Sequence, residues 1–234
     1  MGSISNRKSI RWLPHEASEP TSTIVLTSPQ RRFVDLRIFD STPHKSGPRG
    51  MPGQLGLEQL EWGIGGTSSS TKREENGEVI TRGRWDHWID SRTADEVADE
   101  GDMFPISETT TLEKGRMVNP ETGLETDYEE VWEDEEPKSI PGAKEGVSCV
   151  VVRMEEGVAK GLIVVLGRYA QGILRLGDGS VAAERWVYDD GWKLYVKFGD
   201  GGVPCKVVLG TLGDVTMGQG FGCDGRTWTV IEMA

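Results

Sequence analysis

The fold class of this chain is decided by the stretch Gly161-Leu-Ile-Val-Val-Leu-Gly-Arg-Tyr-Ala-Gln-Gly-Ile-Leu-Arg-Leu176. Gly167 and Gly172 interrupt its apolar run, and each interior glycine costs a helix about 1 kcal/mol. The stretch therefore predicts a buried strand, a bend at Gly167, and a second strand that turns Tyr169 and Ile173 inward. Glycine at such a bend allows a sheet to curl and close.

The same alternation of apolar and polar residues recurs on both sides of this stretch. In Val34-Asp35-Leu36-Arg37-Ile38 the apolar residues take one face of a strand and the charges take the other. The run Lys193-Leu-Tyr-Val-Lys-Phe198 repeats the pattern, and further strands are expected at residues 205–209 and 215–220. The 31 glycines recur between apolar segments, as the turns of an all-β chain require. The chain is therefore predicted to be all-β.

Segments rich in glycine, proline or polar residues predict loops. They lie at residues 41–56, 67–77 and 133–146. The last one separates two sets of predicted strands, each long enough for a domain with its own core. We therefore expect two consecutive antiparallel β-barrel domains, at residues 21–136 and 147–234, with a linker at residues 137–146. Residues 1–20 are expected to be disordered.

Composition excludes several classes of partner. The net charge of −12 argues against binding to nucleic acid or to an anionic membrane surface. Cys149, Cys205 and Cys223 form no C-x-x-C pair, so free thiols are expected. The chain has no apolar signal segment and no run near the roughly 20 apolar residues of a membrane span. We expect a cytoplasmic location that extends to the nucleus, given a mass of 25.7 kDa.

Catalytic signatures are missing from the sequence. It contains no G-x-S-x-G elbow, Walker loop or hydride-cofactor fingerprint. His15, His44 and His87 lie far apart, and none stands in a metal-ligand spacing. The chain is therefore predicted to be no enzyme and to hold no cofactor or metal. The enzymatic alternative is a barrel isomerase that would use His87 or Asp90.

An acidic run precedes the predicted linker. Residues 121–136 contain nine acidic side chains and no basic one. They form either a solvated face or a surface that recognises a basic partner. The candidate partner surface consists of Glu129, Glu133, Asp134, Glu135 and Glu136. Ser139 follows these acids, as acidophilic kinases of the casein kinase type prefer, so it is a candidate phosphosite.

Five aromatic residues lie within predicted strands. They are Trp62, Trp85, Tyr169, Trp186 and Trp228. If a barrel encloses a cavity, these side chains would line or cap it, and a small apolar ligand would bind there. The alternative is that side chains fill the barrels, as they do in many small barrels.

Five blocks of sequence resemble a known family. They are Leu60-Glu-Trp62-Gly-Ile-Gly-Gly66-Thr, Trp85-Asp-His-Trp-Ile-Asp90-Ser-Arg, Tyr128-Glu-Glu-Val-Trp132, the Gly161–Gly172 stretch and Thr227-Trp-Thr-Val-Ile-Glu232. In this order, from about residue 23 to the C-terminus, they resemble the fungal HRI protein family, which is named for interaction with a casein kinase I homologue. The resemblance implies two consecutive calycin- or lipocalin-like β-barrels, a cytoplasmic and nuclear location, and no established enzymatic activity.

Two hypotheses about function follow. The leading one is a non-enzymatic interaction protein, a partner or substrate of a casein kinase I homologue, that uses the acidic strand and linker as its contact surface. The alternative is a binding protein for a small apolar ligand inside one barrel.

Overall fold

The computed structural model describes residues 1–40, 54–75 and 77–234, and most of them lie in β-strands. The strands of the first half are β1 (Ser3–Trp12), β2 (Thr21–Thr27), β3 (Arg32–Phe39), β4 (Gln54–Leu55), β5 (Leu60–Glu75), β6 (Glu78–Asp90), β7 (Val97–Pro105), β8 (Thr110–Val118) and β9 (Glu125–Glu135). All of these except β4 form one closed antiparallel barrel, and a 3-10 turn at Leu57–Gln59 precedes β5. The all-β prediction is confirmed. Residues 41–53 of the first predicted loop, and Asn76 of the second, lie outside the described residues.

The N-terminal segment closes the barrel, so the expected disorder of residues 1–20 is wrong. Strand β1 pairs with β2 on one side and with β9 on the other. Ile4 and Ile10 are buried, and so is Arg7, whose guanidinium binds Glu130. Polar residues separate the two isoleucines in the sequence, and some inward positions of β1 are charged. The segment therefore lacks the apolar alternation that would predict a strand.

The predicted loop at residues 67–77 is also wrong. Thr67 to Glu75 continue β5, and they pair residue by residue with β6 as far as Glu78. This end of the hairpin is exposed, so its residues are polar on both faces and resemble a loop in composition. Ion pairs such as Arg73–Asp102 line its surface instead of apolar contacts.

The second half forms an open sheet. Its strands are β10 (Cys149–Glu156), β11 (Ala159–Leu166), β12 (Tyr169–Arg175), β13 (Val181–Tyr188), β14 (Trp192–Phe198), β15 (Gly220–Cys223) and β16 (Arg226–Met233). The order is β15-β16-β10-β11-β12-β13-β14-β4, so the short strand β4 of the first half is added at one edge. A bend at Gly167, with φ of 56°, joins β11 to β12 as the sequence predicts.

A second closed barrel is not confirmed among the described residues, because the pairing ends at β15 and β4. The strands expected at residues 205–209 and 215–220 are wrong: Cys205–Gly210 is a short helix, α1, and a turn region follows it. Val208, Leu212 and Val215 from this region are buried against the sheet. Their spacing of three to four residues is helical rather than alternating.

One face of the second sheet packs on α1, and the other face packs on the outside of the barrel. Leu26, Leu36 and Ile89 of the barrel share a buried cluster with Val151 and Val164 of the second sheet. The two halves are therefore joined through an apolar interface. The segment predicted as a linker contributes Ile140 to the core on the α1 side.

A buried polar contact also joins the halves. Arg185 on β13 donates from Nε to Gln171 Oε1 at 2.6 Å and from Nη2 to the Leu36 carbonyl at 2.6 Å. Gln171 Nε2 donates to the carbonyls of Ile24 and Val34, at 2.9 Å each. Burial lowers the pKa of Arg185 to about 10. These bonds fix how β12 and β13 lie on β2 and β3, because each unpaired buried donor would cost about 1–3 kcal/mol.

Candidate functional site

The barrel encloses a cavity of about 230 Å³. It reaches the end of the barrel where Ser3, Thr27 and Ser68 lie, and extends inward past Trp85 to a group of buried charged residues. Strand alternation places these charges inside: Asp35 and Arg37 stand two residues apart on β3 and therefore share its inward face. Val34, Leu36 and Ile38 point outward and pack against the second sheet.

The first charged group is centred on Arg37. Its Nε donates to Asp35 Oδ2 at 2.9 Å, and its Nη1 lies 3.5 Å from Glu130 Oε1. Arg7 Nη1 donates to the same Glu130 oxygen at 2.6 Å, and Arg7 also binds Glu19. Burial alone would lower the pKa of Arg37, but the carboxylates of Asp35 and Glu130 outweigh it and raise the pKa.

The second group is centred on Glu113 of β8. Its Oε1 accepts from the Tyr128 hydroxyl at 2.6 Å, and its Oε2 accepts from Trp132 Nε1 at 3.0 Å. Burial, together with the nearby charge of Glu130, raises the pKa of Glu113 to about 8. Burial and Glu113 also raise the pKa of Tyr128. Glu113 is therefore mostly a neutral acid at pH 7.

The third group joins His87 to two carboxylates. His87 Nδ1 lies 2.8 Å from Asp90 Oδ2, and Asp90 Oδ1 accepts from Trp62 Nε1 at 3.0 Å. His87 Nε2 lies 3.3 Å from Asp99 Oδ2 without hydrogen-bond geometry. Burial alone would lower the pKa of His87, but Asp90 and Asp99 raise it to about 9.

Two buried atoms in these groups have no hydrogen-bond partner among the described residues. They are Asp35 Oδ1 and His87 Nε2, and both residues line the cavity. Buried polar groups are almost always hydrogen-bonded, so such exceptions mark water, an ion or a ligand that completes the site. The cavity therefore contains a place where a small polar molecule can be held.

A second cavity of about 270 Å³ lies at the opposite end of the same barrel. Trp12, Glu61 and Trp62 line it, and the Arg92 guanidinium lies 4.1 Å from the centre of the Trp62 ring. Arg37 lines both cavities, so this buried arginine and its carboxylate partners separate them.

The five predicted lining aromatics divide between the halves. Trp85 lines the first cavity and Trp62 lines the second. Trp186 and Trp228 are instead packed into the core of the second half, and Tyr169 packs against the cluster between the halves. These three side chains line neither of the two cavities, because they pack against apolar clusters.

The predicted acidic surface lies on β9 and just beyond it. Glu133, Asp134, Glu135, Glu136 and Ser139 are exposed, and Glu129 is half-buried. Internal contacts already engage part of this surface. Glu129 pairs with Lys114 and Arg11, Glu133 pairs with Lys8 at 2.5 Å, and Asp134 accepts from Ser5. In the described part of the chain, Glu135 and Glu136 have no ion-pair partner.

The described residues contain neither a metal-ligand cluster nor a helix able to span a membrane. No group of three or more His, Cys, Asp or Glu side chains is arranged to hold a metal ion. None of the helices in the described ranges combines the length and apolar character that crossing a membrane requires.

Comparison with known proteins places the chain in a family. The family model described as Protein HRI1 matches residues 3–232. The chain belongs to the HRI1 family. Protein HRI1 of Kluyveromyces lactis is 21% identical over 189 residues, which is 74% of each chain. The crystal structure of an uncharacterized Saccharomyces cerevisiae protein has a TM-score of 0.73 at 16% identity, and covers 100% of this chain and 99% of that one.

The family assignment confirms the resemblance to the fungal HRI proteins, and the solved yeast structure shares the fold. Neither description of these relatives names an enzymatic activity. Within this HRI1 family member, sequence reasoning missed Asp35, Arg37, Glu113 and Glu130 as site residues. The signal was present in the alternation around residue 35, but a pattern of period two does not say which face is enclosed.

Proposed function

We propose that this chain is a binding protein that holds a small polar ligand inside its first barrel. The observation that carries the proposal is the cavity of about 230 Å³, where buried Asp35 and His87 each keep one polar atom without a hydrogen bond among the described residues. Enclosed pockets with a few convergent polar groups are the usual sites of small ligands. In this proposal the barrel has the calycin or lipocalin form, in which eight strands leave room for one small ligand.

The lining argues for a polar ligand in place of the apolar one expected from sequence. Asp35, Arg37 and Glu130 are buried and charged, and Glu113 is a buried acid. An apolar ligand would remove the water from these groups and return no hydrogen bonds, which costs free energy. A ligand that supplies hydrogen bonds avoids this cost.

The chemistry of the third group supports a non-enzymatic role. His87 has a pKa of about 9, so at neutral pH it carries a proton and cannot act as a general base. Asp90 accepts hydrogen bonds from His87, Trp62 and the Arg92 amide, which lower its pKa against the effect of burial. The two residues considered for a barrel isomerase therefore suit structural support of the cavity better than proton abstraction.

Native mass spectrometry of protein purified from its own cells tests the proposal. We expect a small adduct that is lost in Thr111→Phe, because Thr111 lines the cavity and the larger ring would fill it. Thr229→Phe is the matched control, since Thr229 is also half-buried but lies on β16 away from both cavities. Absence of any adduct, with a crystal structure whose cavity holds only ordered water, would refute the proposal.

A second function is proposed on the exposed acidic segment. Glu133 to Glu136 are all exposed, and exposed Ser139 follows three residues later. This arrangement suits a non-enzymatic interaction factor that binds a basic surface, such as a casein kinase I-type kinase in the cytoplasm or nucleus, or is its substrate. The two sites share only Asp134, which lines the first cavity and belongs to the acidic segment, and the two functions do not exclude each other.

Phosphorylation and binding assays with the purified kinase test this second proposal. We expect Ser139 to be phosphorylated, and expect Glu135→Lys with Glu136→Lys to weaken both binding and phosphorylation. Ser180→Ala, in a turn of the second half, controls for nonspecific phosphorylation. Unchanged binding after the double charge reversal would exclude the acidic segment as the contact surface.

A further inference from the structure

Most hydrogen-bond donors deep in the first cavity are already engaged by the protein; His87 Nε2 has no hydrogen bond among the described residues but lies 3.3 Å from the Asp99 carboxylate. Arg37 Nε is bound by Asp35, the Tyr128 hydroxyl and Trp132 Nε1 are bound by Glu113, and His87 Nδ1 is bound by Asp90. A ligand that offers mainly acceptors, such as a carboxylate, would have to displace one of these internal bonds or approach His87 Nε2 beside the Asp99 carboxylate, which repels an anion. Displacement leaves a buried carboxylate or carboxylic acid without its partner, which is unfavourable.

Apart from His87 Nε2, the free hydrogen-bonding capacity deep in the cavity is on the acceptor side. Asp35 Oδ1 is a buried carboxylate oxygen without a hydrogen-bond partner among the described residues. The hydroxyl groups at the mouth, on Thr27, Ser68 and Ser70, can donate or accept and therefore do not discriminate. A ligand with N–H donors would satisfy Asp35 Oδ1 without breaking an existing bond.

The charge of the lining residues also favours a ligand with a positive charge. Among the described lining residues, the carboxyl groups are those of Asp35, Asp99, Glu113, Glu130 and Asp134, and the cationic groups are Arg31, Arg37 and His87. Acidic groups therefore outnumber basic ones around the space. A cation that enters would also favour the ionised form of Glu113, because an opposite charge nearby lowers the pKa of a carboxyl group.

The remaining walls suit the apolar part of an organic cation. Phe33, Trp85 and Trp132 line the cavity together with Met103 and Met117. Aromatic faces attract cations, and the ring edges and thioethers contact hydrocarbon. A cavity of about 150 Å³ holds benzene, so one of this size holds roughly ten non-hydrogen atoms.

We infer that the first cavity selects a small organic cation, a protonated amine with a short apolar or aromatic body, whose nitrogen donates to Asp35 Oδ1. The inference rests on the proposed ligand-binding function and assigns the chemical class of the ligand. Arg37 holds the Asp35 carboxylate in place from the other side, through its bond to Oδ2.

Calorimetric titration of the full chain at pH 7 with three size-matched probes tests the inference. The probes are 2-phenylethylamine, 2-phenylethanol and phenylacetate. We expect the amine to bind about tenfold or more tightly than the alcohol, the factor that one charge-assisted hydrogen bond supplies, and the carboxylate to bind weakest. A crystal complex is expected to place the amine nitrogen within hydrogen-bond distance of Asp35 Oδ1.

Asp35→Asn removes the charge of this side chain and keeps its size, so it tests whether the charge selects the amine. The variant should lose about tenfold in affinity for the amine and keep its affinity for the alcohol. Asp178→Asn, in the exposed turn between β12 and β13, is the control and should change neither. If Asp35→Asn does not fold, the affinities of the natural chain for the three probes and its crystal complex with the amine still test the inference.

The failures can be told apart. Tighter binding of the alcohol or of phenylacetate inside the cavity would overturn the cation and leave the ligand-binding function intact. If none of the probes binds at millimolar concentration, and fixed waters satisfy Asp35 Oδ1 and His87 Nε2 in a crystal structure, both the inference and the proposed function fail.

Discussion

Inside the first barrel, charged Asp35, Arg37 and Glu130 face a cavity, whereas in the second half Trp228 and Ile163 belong to a closely packed apolar core. Both halves are built from alternating strands. In the first half the charged residues of β3 face the inside of the barrel, and its apolar residues pack against the second sheet. In the second half the apolar residues of the sheet have a neighbour on each face, so they are buried on both.

The difference shows how a barrel of this size keeps an open interior. Apolar side chains collapse until no space remains, because contact between them is favourable and nondirectional. Charged side chains that hold one another by hydrogen bonds have fixed positions, and their desolvation opposes closer packing. The polar interior of the barrel therefore retains a cavity. In the apolar core of the second half, α1 and Trp228 fill the corresponding space.

The largest expected effect comes from truncating a tryptophan in each interior. Trp228→Ala should lower the free energy of unfolding by about 3–5 kcal/mol, because Trp228 is fully buried in the packed core. Trp85→Ala should cost clearly less, since the half-buried Trp85 already borders a cavity. Urea unfolding followed by circular dichroism measures both, and equal losses would contradict the distinction between the two interiors.

The next effect is a fall in stability with rising pH. Burial and Glu130 raise the pKa of Glu113 from 4.5 to about 8 on folding, and Asp90 and Asp99 raise that of His87 from 6.5 to about 9. In both cases the folded protein holds its proton more tightly than the unfolded chain. Stability is therefore full below each unfolded pKa and is lost as pH rises through the folded pKa. The total fall is expected to be on the order of a few kcal/mol.

Glu113→Gln isolates the polar interior in this pH dependence. Tyr128, Trp132 and Glu130 of β9 and Arg37 of β3 face Glu113, and all of them remain in the variant. The variant should lose the part of the fall between about pH 4.5 and 8 and keep the part that His87 produces. Groups whose pKa is lowered on folding, such as Asp90, change the stability only below this pH interval. A stability that rises from pH 5 to 8 in the natural chain would contradict the buried neutral acid.

A smaller effect is expected from adding one methyl group beside each tryptophan. A Cβ at Gly161 would overlap the ring of Trp228, and a Cβ at Gly83 would overlap the ring of Trp85. Gly161→Ala should cost about 1–3 kcal/mol, because the packed core cannot move. Gly83→Ala should cost less, since the Trp85 ring can shift into the cavity. Thermal unfolding compares the two variants, and a larger loss at Gly83 would show that the barrel interior is as rigid as the second core.

The smallest effect is expected on the outer surface of the barrel. Glu133→Gln removes the exposed ion pair with Lys8 and should change stability by less than about 1 kcal/mol. Glu135→Gln, which removes an exposed carboxylate without an ion pair in the described residues, is its control. The difference between them should vanish in high salt because surface charges are screened. A persistent difference would indicate that the acidic strand stabilises the barrel.

Much of the strand pattern could be predicted because it depends on local residues. The bend at Gly167 and the strands on either side of it follow from glycine and apolar periodicity alone. Prediction failed where the local pattern was weak or ambiguous. Strand β1 carries buried Arg7 in an inward position. The short apolar run at residues 207–209 suggested a strand, and the helical spacing of Val208, Leu212 and Val215 is visible only over a longer window.

The sequence by itself determined that this chain is all-β and belongs with the HRI proteins, because period-two alternation, glycine turns and conspicuous sequence blocks are local properties. The tertiary structure decided which face of each strand is enclosed. Asp35 and Arg37 lie inside the barrel because the second sheet packs against the apolar face of β3. Alternation defines two faces but does not say which face meets which neighbour, so the cavity and its charged lining exist only once both halves are packed together.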